Sequence, residues 1–315
     1  MYIGFSEAET FIRNCKDAVI ITHRSPDGDC VGAGFAMKEI LQQLGIRSRV
    51  VCHDVFPKRY DFLTEVGAGE EFEPQTIIAV DIADTKLMGR YQEIYGDKVQ
   101  LCIDHHISNK NYAEKTLLHA EASAACEVIY DLAKFMGIKI TEHCAKCLYT
   151  GMATDSGCFK FQCATAHTHE VVAEIMREYS NINFAKINRN MFEVKSYGRI
   201  KLESEFNNIA ETYLDGKLCI IAVTKDMMNT LGVSDEELEG FASLTIQYEG
   251  VEVGIFMRER QDDYKCSFRS ADEVNVSKIC ELFNGGGHIK ASGCNISGNL
   301  DDIKKQFIEA VKNAL

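Results

Sequence analysis

Short runs of β-branched and other apolar residues alternate with segments of helical character along the first half of the chain. The apolar runs predict strands at 17–23, 47–53, 75–81 and 98–104, and the segments between them predict helices at 6–16, 30–44 and 85–95. Strands that alternate with helices pair in parallel, so this half is predicted to form a doubly wound parallel sheet of the α/β class. Ligands of such sheets bind beyond the carboxyl ends of the strands.

The pattern becomes mostly helical after the fourth strand. Ser123 is predicted to cap a helix that runs to Met136, and a second helix is predicted to start near Glu142 and to carry Asp155. A polar segment with scattered basic residues follows at 184–202. We interpret this segment as a connection between two domains.

A smaller α/β domain is predicted beyond this connection. Its elements are a strand at 218–224, an acidic helix capped by Ser234, a hairpin of 251–258 with 264–269, and helices at 276–283 and 300–315. The chain is therefore expected to divide into a first domain at 1–185, a linker at 186–203 and a second domain at 204–315.

Composition is that of a globular protein with sizeable cores. The chain has 315 residues, of which 46% are hydrophobic and 26% charged, and this length suits two domains. No apolar run approaches the roughly 20 residues of a membrane span, and the N-terminus lacks the basic and apolar stretches of a signal peptide. The 13 cysteines follow no disulfide framework and are expected to be reduced, which predicts a cytoplasmic protein.

The charge balance limits the partners of the protein. The formal net charge is −13 and the pI is near 5.2. Proteins that hold long nucleic acids neutralise many phosphates with basic side chains, so binding to a long duplex is not expected. A small anionic substrate is compatible with this charge, because carboxylates that hold divalent cations count as negative although the occupied site is locally positive.

Side chains that commonly ligate metals stand at the predicted carboxyl ends of strands and in the loops that follow. They are His23, Asp27 and Asp29 after the first strand, Asp81 after the third, Asp104, His105 and His106 after the fourth, and Asp155 on a helix. A capping aspartate or a core histidine explains any one of them, but not all four groups together. Carboxylates with two or three imidazoles favour Mn²⁺, Fe²⁺ or Co²⁺ over Zn²⁺. There are more carboxylates than one ion can coordinate, which predicts two ions that share one carboxylate. Enzymes that catalyse displacement at phosphorus use such pairs of ions.

A glycine-rich segment, Gly285-Gly286-Gly287-His288, completes the set of motifs. In this order, and over essentially the whole chain, the motifs resemble those of the DHH/DHHA1 phosphoesterase family. The resemblance implies a parallel-sheet DHH domain, a smaller DHHA1 domain and an active site in the cleft between them. The length of the chain resembles the small members that act on oligoribonucleotides and pAp. Family II pyrophosphatases share the first domain but lack the glycine motif.

The resemblance also implies a role for each residue. One Mn²⁺ would be held by His23, Asp27 and Asp81 and another by Asp29, Asp81, His105 and Asp155, with Co²⁺, Fe²⁺ or Mg²⁺ as alternative ions. His106 would contact the phosphate and protonate the leaving oxygen, and Asp104 would orient an imidazole. In the second domain, the amides of Gly285, Gly286 and Gly287, with His288 and Arg269, would bind a phosphate of the substrate. The chain departs from the family pattern at Asn284, where a fourth glycine is common, and at Ala124-Ala125, where a Ser-Thr pair is common.

The leading hypothesis is a hydrolase of short phosphorylated nucleotides, namely short RNA or DNA oligonucleotides, linear dinucleotides such as pApA or pGpG, and pAp. The acidic pI favours short substrates, since a few contacts can hold them without a long basic track. Two alternatives stay open: a pyrophosphatase or polyphosphatase, and a nucleotide-binding protein without turnover. The sequence leaves open the preferred substrate, the direction of attack, the physiological ion, and whether the protein forms a homodimer.

Overall fold

The predicted strands of the first half form a five-stranded sheet in which every neighbouring pair runs parallel. The strands are β1 (Ala18–Ile21), β2 (Ser48–Val51), β3 (Thr76–Val80), β4 (Leu101–Asp104) and β5 (Lys115–Leu118). Their order across the sheet is β2-β1-β3-β4-β5. The central strands are buried along their whole length, which is why they form continuous apolar runs in the sequence.

This computed structural model describes residues 1–238 and 240–315. The chain divides into two compact units, Met1–Val194 and Lys195–Leu315, and each is described here by itself. The division falls within the segment predicted to be a linker, and much of that segment is helical.

Helices flank the sheet of the first unit. They are α1 (Phe5–Arg13), α2 (Gly28–Gln43), α3 (Asp61–Thr64), α4 (Tyr91–Tyr95), α5 (Ala125–Phe135), α6 (Glu142–Asp155), α7 (Ala166–Glu178) and α8 (Phe184–Asn188). The residues of α2 are buried from Gly28 to Leu41. This helix packs closely on α6, since a Cβ added at Gly32 would lie 2.4 Å from the carbonyl oxygen of Cys147.

The second unit is built on a mixed sheet. Its strands are β6 (Ala210–Tyr213), β7 (Leu218–Val223), β8 (Val253–Glu259), β9 (Tyr264–Ser270), β10 (Gly286–His288) and β11 (Ala291–Ile296), in the order β10-β11-β9-β8-β7-β6. Its helices are α9 (Tyr197–Ile209), α10 (Lys225–Leu231), α11 (Phe241–Leu244), α12 (Val276–Glu281) and α13 (Leu300–Lys312). Only β7 and β8 pair in parallel within this sheet as described. The predicted α/β class, with a parallel first sheet and a second, smaller α/β part, is confirmed.

None of the helices within residues 1–238 and 240–315 combines the length and the apolar character that a membrane crossing requires.

The helix predicted at 85–95 is interrupted. Thr85–Met88 form a 3₁₀ turn, and α4 begins only at Tyr91. Gly89 lies between them with φ of 57°, and a Cβ there would be 2.4 Å from Cγ of His53. The left-handed conformation of this glycine ends the first turn, and the apolar pattern does not reveal it.

The prediction that Ser123 caps α5 is wrong. The N-cap residue is Ala124, which has no capping side chain. The hydroxyl of Ser123 instead donates to Oε2 of Glu127 at 2.6 Å. The first amides of α5 have a different acceptor, which belongs to the site described below.

The apolar pattern does not predict β5, β6, β10 or β11. Strand β10 has the sequence Gly-Gly-His, so no apolar period marks it, and its antiparallel pairing with β11 defines it instead. The acidic helix predicted from Ser234 is a 3₁₀ turn at Glu236–Leu238, and Glu239 in the same stretch lies outside the described residues.

Candidate metal centre and glycine motif

The carboxyl ends of three neighbouring parallel strands bring predicted ligands to one edge of the first sheet. His23 follows β1, Asp81 follows β3, and Asp104 ends β4 directly before His105 and His106. Because β1, β3 and β4 are adjacent, these residues meet at the edge where doubly wound sheets bind their ligands.

Helices α2 and α6 complete this edge. Asp27 is the N-cap residue of α2, and its Oδ1 accepts the amide of Cys30 at 3.0 Å. Asp29 lies in the first turn of the same helix, and Asp155 is the last residue of α6. The packing of the two helices therefore places three carboxylates beside the strand ends.

The carboxylate of Asp81 lies between two imidazoles. Its Oδ2 is 3.4 Å from Nε2 of His23, and its Oδ1 is 3.6 Å from Nε2 of His105. Oδ2 thus faces His23, whereas Oδ1 faces His105 and also lies 3.5 Å from Nδ1 of His106. This is the geometry expected of a carboxylate that bridges two ions.

Each imidazole faces further carboxylates. Nε2 of His23 lies 3.6 Å from Oδ1 of Asp27. Nε2 of His105 lies 3.3 Å from Oδ2 of Asp155 and 3.9 Å from Oδ2 of Asp29. The structure therefore brings together the residues of both predicted ligand sets.

Two buried atoms at the centre, Oδ1 of Asp81 and Nε2 of His105, have no hydrogen-bond partner among the described residues. Nδ1 of His105 is 3.2 Å from the carbonyl oxygen of Ala122, and Nδ1 of His23 is 2.8 Å from that of Arg24. Each ring can donate from Nδ1 and turn the lone pair of Nε2 toward the carboxylates, which is how metal-ligating histidines are oriented. A cation between these groups would satisfy the orphaned atoms, so the residues fit divalent metal ions.

The raised pKa values of the carboxylates also indicate that these residues suit divalent cations. Burial raises the pKa of Asp81 to about 7, and the charge of Asp29 adds to the effect. Burial, with the charges of Asp29 and Asp81, raises the pKa of Asp155 to about 9. A buried group of carboxylates resists ionisation until positive charge offsets the repulsion, and divalent cations provide that charge.

Asp29 also anchors the start of α5. Its Oδ2 accepts the amide of Ala125 at 2.7 Å and its Oδ1 accepts the amide of Cys126 at 2.9 Å. A negative charge at a helix N-terminus is favourable, because the free amides point toward it. The Asp29 carboxylate replaces the capping side chain that Ala124 lacks. The two amides in turn hold this carboxylate in a fixed orientation toward His105.

Asp104 hydrogen-bonds the ring of His106 and the backbone amide of His105. Its Oδ1 is 2.8 Å from Nδ1 of His106 and accepts the amide of His105 at 2.9 Å, and its Oδ2 accepts the side-chain amide of Asn109 at 2.6 Å. Burial would raise the pKa of Asp104, but the hydrogen bonds with His106 and Asn109 hold it below its ordinary value. Burial would lower the pKa of His106, but Asp104 and the charge of Asp81 raise it to about 9. The contact with Asp104 therefore favours the protonated form of His106.

The glycine motif includes strand β10, and two of its glycines, Gly285 and Gly287, stand where a side chain does not fit. A Cβ at Gly285 would lie 2.3 Å from the carbonyl oxygen of Gly293, and Gly287 has φ of 146°. Asn284, which precedes the motif, has φ of 57°. Asparagine adopts this left-handed conformation more readily than most residues, so it fits the position where the family often has glycine.

The sheet of the second unit aligns two of the predicted substrate-binding residues. His288 pairs with Ala291 across β10 and β11, and Ala291 pairs with Arg269 across β11 and β9. Residues directly opposite each other point to the same face, so His288 and Arg269 share a face about 10 Å apart, two strand spacings. The motif and its arginine therefore form one group within the second unit.

Two family domains account for most of the chain. Residues 17–152 match the N-terminal domain of the DHH family, and residues 215–313 match the DHHA1 domain. The chain belongs to the DHH–DHHA1 family. This confirms the resemblance that the sequence motifs carried.

Relatives of similar length resemble this DHH–DHHA1 protein. The bifunctional oligoribonuclease and PAP phosphatase NrnA of Thermus thermophilus is 28% identical over 304 residues, which cover 94% of this chain and 89% of the relative. The protein of the same name from Bacillus subtilis is 25% identical over 285 residues, covering 88% and 89%. The crystal structure of an exopolyphosphatase-related protein from Bacteroides fragilis has a TM-score of 0.90 at 24% identity and covers 98% of this chain and 95% of that one. The similarity to the Bacteroides fragilis structure shows that the two chains share a fold.

Two potential ligands of the DHH domain lie outside the predicted ligand sets: His106, which groups with Asp81 and His105, and Cys30. The thiol of Cys30 lies within 4.8 Å of ligand atoms of His23 and Asp27. Burial raises its pKa to about 12, so it is a protonated thiol unless a cation binds it. Its position three residues after Asp27, in the first turn of α2, is the signal that could have indicated it.

Proposed function

We propose that this DHH–DHHA1 protein hydrolyses the phosphate esters of short oligonucleotides, linear dinucleotides and pAp to mononucleotides. It is a hydrolase of the phosphoesterase class, as its family and its relatives indicate. The observation that carries the proposal is the Asp81 carboxylate between His23 and His105, with orphaned atoms aimed at the same space. Donors of this kind suit a pair of divalent ions.

The first unit supplies the ligands of two metal ions. His23, Asp27 and Asp81 would hold one, and Asp29, Asp81, His105 and Asp155 would hold the other. When bound, two such ions lower the pKa of water and neutralise charge on phosphoryl oxygens. Mn²⁺ is the preferred ion for this donor set, with Co²⁺, Fe²⁺ and Mg²⁺ as alternatives.

His106 is the proposed proton donor to the leaving oxygen. Asp104 raises its pKa to about 9, against the lowering effect of burial, and so favours the protonated form that a proton donor needs. Asp104 fixes the ring through the 2.8 Å contact at Nδ1, so Nε2 is left to face the substrate. A positioned acid of this kind typically accelerates a reaction about 10²- to 10⁴-fold.

The glycine motif is the proposed phosphate-binding element of the second unit. The absence of side chains at Gly285, Gly286 and Gly287 lets an anion approach the backbone closely, although the amide of Gly285 itself donates to the carbonyl oxygen of Cys280 at 2.9 Å. His288 and Arg269 add charge on one face of the sheet. Short nucleotides suit such a group, because a few phosphate contacts suffice to hold them.

We also propose that the protein works in the cytoplasm. All 13 cysteines are free thiols, and most of them are buried. A protein of an oxidising compartment typically pairs its cysteines.

The test is a substrate panel with one divalent metal at a time. Chelated protein is reconstituted with Mn²⁺ and incubated with pApA, pGpG, pAp and inorganic pyrophosphate, and products are separated by chromatography. Release of mononucleotides is expected. If protein with both ions bound cleaves only pyrophosphate, it is a pyrophosphatase, and if it binds nucleotides without cleaving them, it is a binding protein. Either result overturns the proposal.

A further inference from the structure

The segment that follows Asp155 has an uncommon backbone. Three consecutive residues, Gly157, Cys158 and Phe159, have positive φ, at 59°, 59° and 63°. The left-handed region is unfavourable for residues other than glycine, because Cβ comes too close to the following carbonyl oxygen. Strain of this kind persists only where the surrounding structure holds it.

Hydrogen bonds hold the segment in place. The amide of Cys158 donates to the carbonyl oxygen of Ala153 at 2.7 Å, and the amide of Phe159 donates to Oγ of Ser156 at 3.0 Å. The amide of Phe161 donates to the carbonyl oxygen of Ser156 at 3.0 Å. At the far end, Sγ of Cys163 lies 4.0 Å from the carbonyl oxygen of Asp155. The end of the segment, at Cys163, therefore contacts its beginning, at Asp155.

The two phenylalanines of this segment have different environments. Phe159 packs against Tyr149 and His169, with ring centroids 6.0 and 5.7 Å away. Phe161 is 58% exposed, and among the described residues no aromatic ring pairs with it. Burial in the core therefore explains Phe159 but not Phe161.

The tip of the Phe161 ring lies against Gly157. Its Cζ, Cε2 and Cε1 atoms would lie 2.5, 2.6 and 2.8 Å from a Cβ placed on Gly157. Glycine at 157 leaves the space that the ring occupies. The exposed fraction of this side chain leaves room for a ligand to contact the ring. A second apolar side chain, Ile107, is 83% exposed directly after His106.

An exposed aromatic ring six residues after the proposed ligand Asp155 suits one ligand chemistry, the π-face of a nucleobase. Aromatic side chains bind single-stranded nucleotides by stacking, and they do so with little sequence preference because every base has such a face. We propose that Phe161 stacks on the nucleobase beside the scissile phosphate. This role rests on the proposed function and adds a base-binding position to it.

The chain has no tryptophan, which allows a direct test. Phe161→Trp introduces a single tryptophan, which is excited selectively, and the full-length variant is titrated with AMP in the presence of Mg²⁺. Quenching by AMP is expected, with none by ribose 5-phosphate, which lacks the base. The matched control is Phe135→Trp, since Phe135 is 52% exposed and lies about 15 Å along α5 from its Asp29-bound end.

Two results of this titration would overturn the proposal. One is the absence of quenching in Phe161→Trp, and the other is equal quenching in Phe135→Trp. The titration needs no turnover. A protein that cleaves no phosphate ester therefore refutes the proposed function and leaves the stacking test intact.

Kinetics give a second measurement. Phe161→Ala is expected to raise KM for pApA about 5- to 150-fold, with kcat little changed. This range is the effect of removing an aromatic ring on which one base stacks. Phe161→Tyr keeps the ring and is expected to restore the wild-type KM. An unchanged KM in Phe161→Ala, checked for native folding by circular dichroism, contradicts stacking.

Discussion

At the scale of single residues, Asp81 is the centre of the site. It is 2% exposed and adopts a left-handed conformation with φ of 57°. Its amide donates to the carbonyl oxygen of Ile103 at 2.9 Å. The strand β3 thus ends in a turn that aims the carboxylate at two histidines. Backbone strain of this kind is common at functional sites.

Asp81→Ala is expected to reduce hydrolysis by more than about 100-fold, the upper end of the effect for residues that only orient ligands, because both ions lose a shared ligand. Initial rates with Mn²⁺ and pApA measure the loss, and calorimetric titration with Mn²⁺ measures the ions bound. Asp97→Ala, at an exposed aspartate, is the matched control and should keep the wild-type rate. A near-normal rate in Asp81→Ala contradicts the bridging role.

Asp104→Asn is expected to lower kcat about 10- to 100-fold, because the His106 ring loses its anionic partner. It should also change the pH dependence. A protonated His106 is active below its pKa of about 9, and without the charge of Asp104 that pKa falls, so activity is lost at lower pH than in the wild type. Profiles of kcat against pH measure the shift. Asp131→Asn, which removes the partner of the surface residue His167, should leave the profile unchanged, whereas an unshifted profile in Asp104→Asn refutes the role.

At the scale of elements, the contact between α2 and α6 sets the distances between the acidic residues. Glycines make the contact close: a Cβ at Gly28 would lie 2.4 Å from Oγ1 of Thr154, and a Cβ at Gly32 would meet the backbone of Cys147 at the same distance. A backbone atom cannot rotate away as a side chain can. The helices must therefore separate if Gly32 gains a side chain.

Gly32→Ala is expected to destabilise the protein by about 1–3 kcal/mol, the range for overpacked cores, although alanine favours helices intrinsically. Urea denaturation followed by circular dichroism measures the free energy of unfolding. The control is Gly286→Ala, since Gly286 is exposed, caps no helix and has no atom within 4 Å of its added Cβ, so its stability should differ little from that of the wild type. A Gly32→Ala protein as stable as the control would falsify the close packing.

The element predictions succeeded where the local pattern is strong and failed where pairing decides. Strands β1, β3 and β4 are continuous apolar runs, and each lies within its predicted segment. Strand β5 has only two leucines, and its register with β4 makes it a strand. The N-terminus of α5 is likewise completed by Asp29, nearly a hundred residues earlier in the chain.

At the scale of the whole molecule, metal binding should be linked to the stability of the first unit, which contains every proposed ligand. An ion that binds only the folded state adds about 2.7 kcal/mol at a free concentration of 100 times its Kd.

Mn²⁺ is therefore expected to raise the Tm of the chelated full-length protein, and hydrogen exchange should locate the new protection at the segments around 23–29, 81, 104–106 and 155. Scanning calorimetry and exchange measured by mass spectrometry test the two parts. Asp81→Ala should show a smaller shift of Tm. An equal shift in that variant, or protection confined to residues 195–315, places the ions elsewhere.

The sequence alone determined the α/β class, the family and the order of the ligand-type residues. These depend on local information, namely the period of apolar residues, the glycines of a motif and the donor chemistry of each side chain. Motifs are short, so their spacing can be read along the chain without knowing how it folds.

Only the tertiary structure decided how these residues work together. It placed Asp81 between His23 and His105, gave Asp29 the amides of α5, and set the tip of the exposed Phe161 ring against Gly157. Each of these relations depends on packing between separate elements or on a left-handed turn, and neither has a periodic signal in the sequence. The physical reason is that side-chain types fix which interactions can form, while the packing of the backbone fixes which of them do.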